Sequence, residues 1–516
     1  MMLSVLRSRG LILVALAALA LLAGPPAARA EVKLPAVISD HMLLQRGSPV
    51  RVFGWAEAGE SVTVQFRGQT VNTTTPGSGR WQVWLSPLNA GDTGDMTIAG
   101  RNTITVRDVL VGDVWVGSGQ SNMQWAVRQS NNAEEEARKA SYPQIRLFRV
   151  PLKTMPEPQD DVVGKWEVCT PESVPNFSAV LYFFGRDLHQ HLKVPFGLIQ
   201  SAYGGTPAQA WTSQEALARD PALMPILGEW AKVLDAYPEA FLRYQKQMAE
   251  WDKTAKGASG GEAPRKPPMP MGPGAAHSPS GLYNAMIHPI IKYTIKGAIW
   301  YQGESNASRV QAPLYQRLFE TMIQDWRRNW EQGDFPFFWV QLANFKTTSG
   351  NDWVLVQEAQ AKATQLKATG MAVINDIGDP GDIHPRNKQD VGARLARIAR
   401  HIAYREDLVW VGPRFRMATT ESATTGDRGA KLRIWFDSVG GGLQARGGGA
   451  LKGFEVAGED KRFYPAEARV DGATIVVSSP SVTQPLAVRY AWLPVPDANL
   501  INAEGLPAGA FRSMEW

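Results

Sequence analysis

The chain of 516 residues contains a single cysteine, Cys169. One cysteine excludes a disulfide within the chain, so stability has to come from buried apolar side chains. A thiol nucleophile is also a poor candidate, because Cys169 lies in Trp-Glu-Val-Cys-Thr, residues 166–170, a run typical of a β-strand.

Long hydrophobic runs are absent after residue 30, so no later segment is predicted to span a membrane. Within the first 30 residues, Arg7 and Arg9 precede an apolar run at 11–23. Ala28-Arg29-Ala30 follows and has the small residues that signal peptidase requires. An uncleaved membrane anchor is the alternative, but it needs roughly 20 apolar residues. We predict a signal peptide at residues 1–30 and an exported protein, periplasmic or secreted, that begins at Glu31.

A dense basic tract is also absent. The net charge is +5, but Arg7, Arg9 and Arg29 belong to the predicted signal peptide, and without them it falls to +2. No Lys/Arg run alternates with aromatic residues, so a nucleic-acid partner is unsupported. Nothing points to a membrane partner once the signal peptide is removed, and the oligomeric state is left open.

The length predicts two or three domains. From residue 31 to 108, short alternating runs separated by glycine-rich turns predict an N-terminal β-sandwich domain. From 409 to 516, strand patterns return and predict a C-terminal β-rich, sandwich-like domain. The predicted strands of these two regions are 50–55, 61–66, 81–85, 431–436, 474–477 and 487–492.

The central region, residues 109–408, alternates apolar runs with helical stretches. This alternation predicts an α/β fold with a parallel sheet flanked by helices, in which ligands bind at the carboxyl ends of the strands. The predicted strands are 109–117, 194–200, 297–301, 336–341 and 371–375, and the predicted helices are 314–330, 353–366 and 388–404. Within it, 213–280 is predicted to be a helical insertion followed by a mobile loop, either a lid or a surface excursion.

Four strand ends carry candidate chemistry. The first is Gly112–Met123, where an apolar strand ends in small residues and Ser121 begins helical sequence. Its hydroxyl would lie beside a helix N-terminus, whose free N–H groups can stabilise an oxyanion. Taken alone, Ser121 could equally be a helix N-cap.

The second strand end carries Gly204 and Gly205, which would let the backbone approach a substrate carbonyl closely. The third carries Gln302-Gly303-Glu304-Ser305-Asn306, whose amides could donate to an oxyanion or form a structural polar turn. The fourth is the loop Asp379–Lys388, where His384 could act as a general base with a carboxylate behind it.

This order of serine, glycine, amide and histidine resembles the SGNH hydrolase superfamily. Longer sequence motifs resemble those of the sialate O-acetylesterase family in particular, and they extend over nearly the whole mature chain. These motifs are Ser39–Arg46, Gly112–Trp115, Gly119–Met123, Gly204–Pro207, Trp300–Asn306 and Ile383–Pro385. The resemblance implies a flavodoxin-like three-layer α/β/α esterase domain with flanking β domains. It implies no metal and no organic cofactor.

Carried over residue by residue, the resemblance implies Ser121 as nucleophile and His384 as base. The N–H groups of Ser121 and Gly205, or less well Gly204, would form the oxyanion hole.

Two features depart from the superfamily pattern. The usual Gly-x-Asn word is replaced, so either Gln302 or Asn306 could complete the oxyanion hole. The position three residues before the histidine is Gly381 rather than aspartate. The supporting carboxylate could therefore be Asp382, which we favour, or Asp379 or Asp376; a Ser–His dyad without a carboxylate is the other possibility.

The implied activity is hydrolysis of O-acetyl esters on carbohydrate through an acetyl-Ser121 intermediate. O-acetylated sialic acid is the expected substrate, and acetylxylan or another polysaccharide is the alternative. A hypothesis of another class is a catalytically inactive carbohydrate-binding protein, which fits the 18 tryptophans.

Overall fold

The computed structural model describes residues 31–255, 265–348, 352–423 and 429–516. The predicted signal peptide, residues 1–30, lies outside this part of the chain. No helix within the described ranges is long and apolar enough to cross a membrane.

The N-terminal region is built from short strands with a period-two burial pattern. Alternate side chains of the third and fifth strands are buried, so each presents one apolar face. The second and fifth strands pair with each other, and the third pairs with the fourth and the sixth, all antiparallel. The strands are β1 (Leu43–Gln45), β2 (Val50–Trp55), β3 (Ser61–Phe66), β4 (Gln69–Thr74), β5 (Arg80–Leu85) and β6 (Thr93–Ala99).

Seven of the described strands form the central α/β sheet: β7 (Thr103–Gly119), β8 (Tyr142–Arg149), β9 (Trp166–Cys169), β10 (Phe196–Ala202), β11 (Gly297–Tyr301), β12 (Phe337–Val340) and β13 (Thr369–Ala372). Their order across the sheet is β13-β12-β11-β7-β10-β8-β9. Every neighbouring pair is parallel except β8 and β9. The α/β prediction is confirmed, but the sheet is mixed rather than wholly parallel.

The strand β7 connects the two regions. It pairs antiparallel with β6 near its start and parallel with β10 and β11 from residue 113 onward. The predicted boundary between residues 108 and 109 therefore lies inside one continuous strand of 17 residues. The N-terminal β region is anchored on the strand that leads to Ser121.

The described helices of the central region are α1 (Ser121–Gln124), α2 (Ala133–Arg138), α3 (Ala179–Leu192), α4 (Gln214–Arg219), α5 (Met224–Ala255), α6 (Tyr315–Trp330), α7 (Trp353–Lys362) and α8 (Lys388–Ile402). Helices of this set cover both faces of the central sheet. On one face, Leu181 of α3 and Val391 of α8 share a core with Trp115 of β7. On the other, Met322 of α6 shares a core with Val114. Alternate residues of β7 thus bury against opposite helix layers.

Single helical turns occur at Val127–Gln129, Val174–Asn176, Ala208–Trp211, Tyr283–Ile287, His288–Ile290, Glu304–Asn306, Ala312–Leu314 and Ala363–Gln365.

The predicted insertion contains α4 and α5, and α5 buries none of its 32 residues. The loop predicted to follow it is described only from residue 265, because residues 256–264 lie outside the described ranges. Residues 265–280 form turns without a helix or a strand.

The C-terminal region consists of antiparallel strands. Its two four-stranded sheets share one core, where Ile434 and Val477 of the first meet Val456 and Val488 of the second. The β-rich prediction is confirmed. The strands are β14 (Arg414–Glu421), β15 (Lys431–Asp437), β16 (Leu443–Ala445), β17 (Phe454–Ala457), β18 (Phe463–Pro465), β19 (Glu467–Asp471), β20 (Thr474–Ser478), β21 (Ala487–Tyr490), β22 (Leu500–Asn502) and β23 (Phe511–Arg512).

Candidate active site

Three parallel strands end at the same level of the central sheet. Gly119, Ala202 and Tyr301, the last residues of β7, β10 and β11, are paired neighbours. The polar segments that follow them therefore meet at one edge, as the sequence predicts for the carboxyl ends of parallel strands.

Ser121 and His384 are brought into hydrogen-bond contact at this edge. The Ser121 Oγ lies 2.8 Å from the His384 Nε2, although 263 positions separate the residues in sequence. Ser121 is the first residue of α1, so its N–H has no acceptor within the helix. The pair has the geometry of a nucleophile and its general base.

The His384 imidazole lies between three influences on its charge. Burial lowers the pKa of His384, and the positive charge of Lys388 lowers it further, while the Asp382 carboxylate acts in the opposite direction. A lowered pKa keeps the imidazole neutral over a wider pH range, and only the neutral form can accept the Ser121 proton.

The three candidate carboxylates have different environments. The Asp382 Oδ1 lies 3.8 Å from the His384 Nδ1, too far for a hydrogen bond, and accepts the backbone N–H of His384 at 2.8 Å instead. Asp376 is held by both terminal nitrogens of Arg394. Asp379 accepts the N–H of Gly381. Of the three, Asp382 is the carboxylate beside the imidazole, and its influence is electrostatic.

The two glycines after β10 are not equivalent. The N–H of Gly204 donates to the Gln124 Oε1 at 2.7 Å and is therefore occupied. Gly205 has a left-handed φ of +73°, and a Cβ there would meet nothing within 4 Å. The Cβ that Gly204 lacks would lie 3.3 Å from that of Ser121, so the turn packs against the serine. Gly205 is thus the better candidate for the second oxyanion donor.

The two candidate amides, Gln302 and Asn306, are buried and face each other rather than the cleft. The Gln302 Nε2 donates to Thr206 O and to the Asn306 Oδ1. The Asn306 Nδ2 donates to the side chains of Gln209 and Gln311. Both amide groups have therefore used their two protons. This corrects the expectation that either side chain completes the oxyanion hole. The polar segment 302–306 after β11 directs these amides into the protein, where Gln302 donates to the Thr206 carbonyl.

Sequence reasoning missed two buried polar residues at the site, Asn122 and Lys388. The Asn122 Oδ1 accepts from the Lys388 Nζ at 2.5 Å. Asn122 stands inside the motif Gly119–Met123, and Lys388 ends the candidate loop Asp379–Lys388. Closeness in sequence to Ser121 or His384 does not show where a side chain points. A lysine opening an amphipathic helix is an available signal, because the first turn of a helix disfavours a positive charge.

A cleft of about 640 Å³ opens in front of Ser121 and His384. Its walls include Arg128, Arg149 and Leu152, and no aspartate or glutamate lines it. Neither arginine forms an ion pair within the described part of the chain, and Arg149 donates only to a backbone oxygen, that of Asn176. The cleft therefore carries two positive charges without a protein counter-charge.

The described residues offer neither a reactive thiol nor a metal site. Burial raises the pKa of the Cys169 thiol to about 12, so the thiol is not a nucleophile near neutral pH. Across the described ranges, no group of three or more His, Cys, Asp or Glu side chains is placed to hold a metal ion. Another cavity, of about 440 Å³, lies against the C-terminal region and contains neither Ser121 nor His384.

Comparisons with known proteins find similar acetylesterases. Residues 258–400 match the family described as carbohydrate esterase, sialic acid-specific acetylesterase. The chain is 34% identical over 417 residues to sialate O-acetylesterase of Rattus norvegicus, covering 73% of this chain and 74% of that protein. The human sialate O-acetylesterase is 33% identical, with 73% and 72% covered. A solved carbohydrate acetylesterase from Xanthomonas citri is 37% identical with a TM-score of 0.79, covering 94% of this chain and 100% of that one.

Proposed function

This chain belongs to the sialate O-acetylesterase family and is a carboxylic ester hydrolase, and we propose that it removes O-acetyl groups from sialic acid through an acetyl-Ser121 intermediate. The observation that supports the mechanism is the 2.8 Å contact between the Ser121 Oγ and the His384 Nε2. The order of the strand-end residues supports an enzyme of the SGNH type.

The reaction proceeds in two acyl-transfer steps. The His384 Nε2 takes the Ser121 proton as the Oγ attacks the acetyl carbonyl carbon. The tetrahedral intermediate collapses, the bond to the sugar oxygen breaks, and His384 returns the proton to that oxygen. In the second step His384 takes a proton from water as the water oxygen attacks the acetyl-Ser121 carbonyl carbon. The bond between the acetyl carbon and the Ser121 Oγ then breaks, His384 returns the proton to the Oγ, and acetate is released with the remaining proton passing to solvent.

The oxyanion is stabilised by backbone donors in this proposal. Among the described residues the N–H groups of Ser121 and Gly205 donate to no acceptor, whereas the N–H of Gly204 donates to the Gln124 Oε1. Ser121 and Gly205 are therefore the donors that we assign to the oxyanion hole. Preorganised N–H donors of this kind each contribute roughly a hundredfold to a thousandfold to turnover. Asp382, close to the imidazole but not hydrogen-bonded to its Nδ1, stabilises the imidazolium electrostatically.

The positive charge of the cleft favours an acidic sugar substrate over a neutral one. Sialic acid carries a carboxylate, whereas the xylan backbone does not. Arg128 and Arg149 line the cleft, and guanidinium groups bind carboxylates strongly when no protein carboxylate competes.

The experiment compares acetate release from O-acetylated sialic acid and from acetylxylan. The double variant Arg128→Gln/Arg149→Gln is expected to raise KM for the sialic acid ester about tenfold and to leave hydrolysis of a neutral aryl acetate unchanged. Arg107→Gln, at an exposed arginine of the N-terminal region, is the matched control.

Three results would revise the proposal. A wild-type preference for acetylxylan, unaffected by the double variant, would make the substrate a neutral polysaccharide. Acetate release from neither substrate nor the aryl acetate would favour an inactive carbohydrate-binding protein. Export is a further part of the proposal, and N-terminal sequencing of the mature protein tests it: Glu31 is the expected first residue, and Met1 would contradict cleavage.

A further inference from the structure

Asn122, Glu304 and Lys388 form a chain of polar contacts behind Ser121 and take no part in the acyl-transfer steps. We propose that Lys388 is a positioning residue that acts through Asn122 to hold the Ser121 helix against the His384 loop. This inference rests on the proposed function, because it concerns the alignment of the same nucleophile and base.

The side chain of Asn122 spans the two segments that carry the reacting groups. Asn122 follows Ser121 in α1, and its Nδ2 donates to the carbonyl of Ile383 at 2.9 Å. Ile383 immediately precedes His384. One side chain thus connects the neighbour of the nucleophile to the neighbour of the base. A rotation of this amide would change the distance between the Ser121 Oγ and the His384 Nε2.

The contacts of Asn122 select one orientation of its amide. The Nδ2 faces two acceptors, since it also donates to the Glu304 Oε1 at 2.6 Å. The Oδ1 faces the ammonium of Lys388 at 2.5 Å. A flipped amide would point N–H groups at the ammonium and an oxygen at the carboxylate, and both contacts would be repulsive. Lys388 therefore acts together with Glu304 and the Ile383 carbonyl to define which way Asn122 points.

Lys388 is fully buried and forms no ion pair within the described residues. Its Nζ faces the Asn122 oxygen and the rings of Tyr301 and Trp125, 5.2 Å and 5.9 Å from the ring centroids. The carboxylates of Glu304 and Asp382 attract it from a greater distance, and burial lowers its pKa to about 7. Burying a lysine in such a site is costly, so local stability does not account for it.

The position of Lys388 in α8 argues the same way. It is the first residue of a 15-residue helix, where the helix dipole disfavours a cation. The helix cap is supplied separately, because the Asn387 side chain accepts the N–H of Asp390. The charge of Lys388 therefore destabilises the start of α8. Its ammonium instead contacts the Asn122 side chain, which lies next to the nucleophile.

Glu304 completes the far end of this network. Its Oε1 accepts from Asn122, and its buried Oε2 has no hydrogen-bond partner among the described residues. Burial raises the pKa of Glu304. Lys388 and Glu304 thus act on opposite ends of one amide. Within the described part of the chain, Asn122 is the only side chain hydrogen-bonded to both.

The test compares Lys388→Met, Asn122→Ala and the double variant. Lys388→Met is expected to lower kcat for an aryl acetate about 10- to 100-fold, with KM changed less than about threefold, because misalignment penalises the chemical step. The double variant should be no slower than Asn122→Ala alone, because residues that act through one contact are not additive. Val391→Ala, which removes buried methyl groups from the same helix, should retain wild-type kcat.

A second readout does not require turnover of an acetyl ester. NMR titration of His384 should show its pKa raised in Lys388→Met and unchanged in Val391→Ala, because the lysine charge lowers that pKa. If Lys388→Met fails to fold, Lys388→Gln, which removes the charge and keeps an N–H donor, replaces it in this titration and should also raise the pKa of His384.

Two outcomes would overturn the inference: a folded Lys388→Met that retains kcat within about twofold, or fully additive losses in the double variant. A wild-type protein that releases no acetate would contradict the proposed function instead, and the titration of His384 would still measure the influence of Lys388.

Discussion

The indole of Trp125 lies parallel to the imidazole of His384, with the ring centroids 4.7 Å apart and an interplanar angle of 14°. The indole N–H is fixed by the carbonyl of Gln129 at 3.0 Å. One face of the imidazole is therefore covered by a ring that cannot turn freely. This contact restricts the rotamer of His384 and contributes to its burial.

Removing the ring should therefore impair catalysis. Trp125→Ala is expected to lower kcat about tenfold, because the imidazole gains rotamers that do not reach the Ser121 Oγ. Trp125→Phe keeps a stacked ring and should retain most of the activity. Steady-state hydrolysis of an aryl acetate measures both. Equal losses in the two variants would show that the indole N–H, rather than stacking, is what matters.

The pH dependence should reflect the lowered pKa of His384. Because burial and Lys388 both lower that pKa, the neutral base persists to lower pH than a free imidazole, whose pKa is about 6.5. A plot of kcat/KM against pH should rise along an acid limb with its midpoint below that value. A midpoint above about 7 would contradict the electrostatic description of the site.

Replacing Asp382 should have a modest effect. A carboxylate hydrogen-bonded to the imidazole can be worth about 10⁴-fold in kcat, but Asp382 lies 3.8 Å from the Nδ1 and is half exposed. Asp382→Asn is expected to lower kcat only about tenfold and to move the acid limb to lower pH, since the carboxylate raises the pKa of His384. Asp379→Asn, in the same loop, is the matched control. A loss near 10⁴-fold would indicate a hydrogen-bonded triad during turnover.

Gly205→Ala should separate stability from activity. Alanine at a left-handed φ costs about 1 kcal/mol of unfolding free energy, and relief of that strain would move the Gly205 N–H. We expect kcat to fall at least tenfold. Gly68 has a similar φ of +76° and equally open surroundings. Gly68→Ala should therefore lose comparable stability in thermal unfolding and retain full activity. Wild-type kcat in Gly205→Ala would contradict the role of the Gly205 N–H as an oxyanion donor.

The sequence predicts the elements best where an apolar run has sharp ends. Residues 50–55, 61–66 and 297–301 are predicted as strands and are observed with those bounds. The strand predicted at 371–375 lies at Thr369–Ala372 instead. Its apolar pattern continues beyond the residues that pair with the neighbouring β12, whose pairing ends at Val340. Hydrogen-bond partners, which one sequence does not show, decide where that strand stops.

Side-chain direction limits the prediction of the site. Ser121 and His384 follow different strands, and the parallel topology brings both to one edge whatever the details of the loops. Gln302 and Asn306 follow a strand at the same edge, yet the 3₁₀ turn at Glu304–Asn306 directs them inward. The roles of Asn122 and Lys388 depend on contacts across 266 positions of sequence, which neither composition nor spacing indicates.

Acetate release by Ser121→Ala tests the central claim most directly. The matched control is Ser118→Ala, which removes a buried hydroxyl from the same strand end that has no hydrogen-bond partner among the described residues. With both variants folded by circular dichroism, Ser121→Ala should lose a thousandfold or more of the wild-type rate, an order of magnitude typical of a lost nucleophile, and Ser118→Ala should retain it. Acetate release by Ser121→Ala at the wild-type rate would contradict the account.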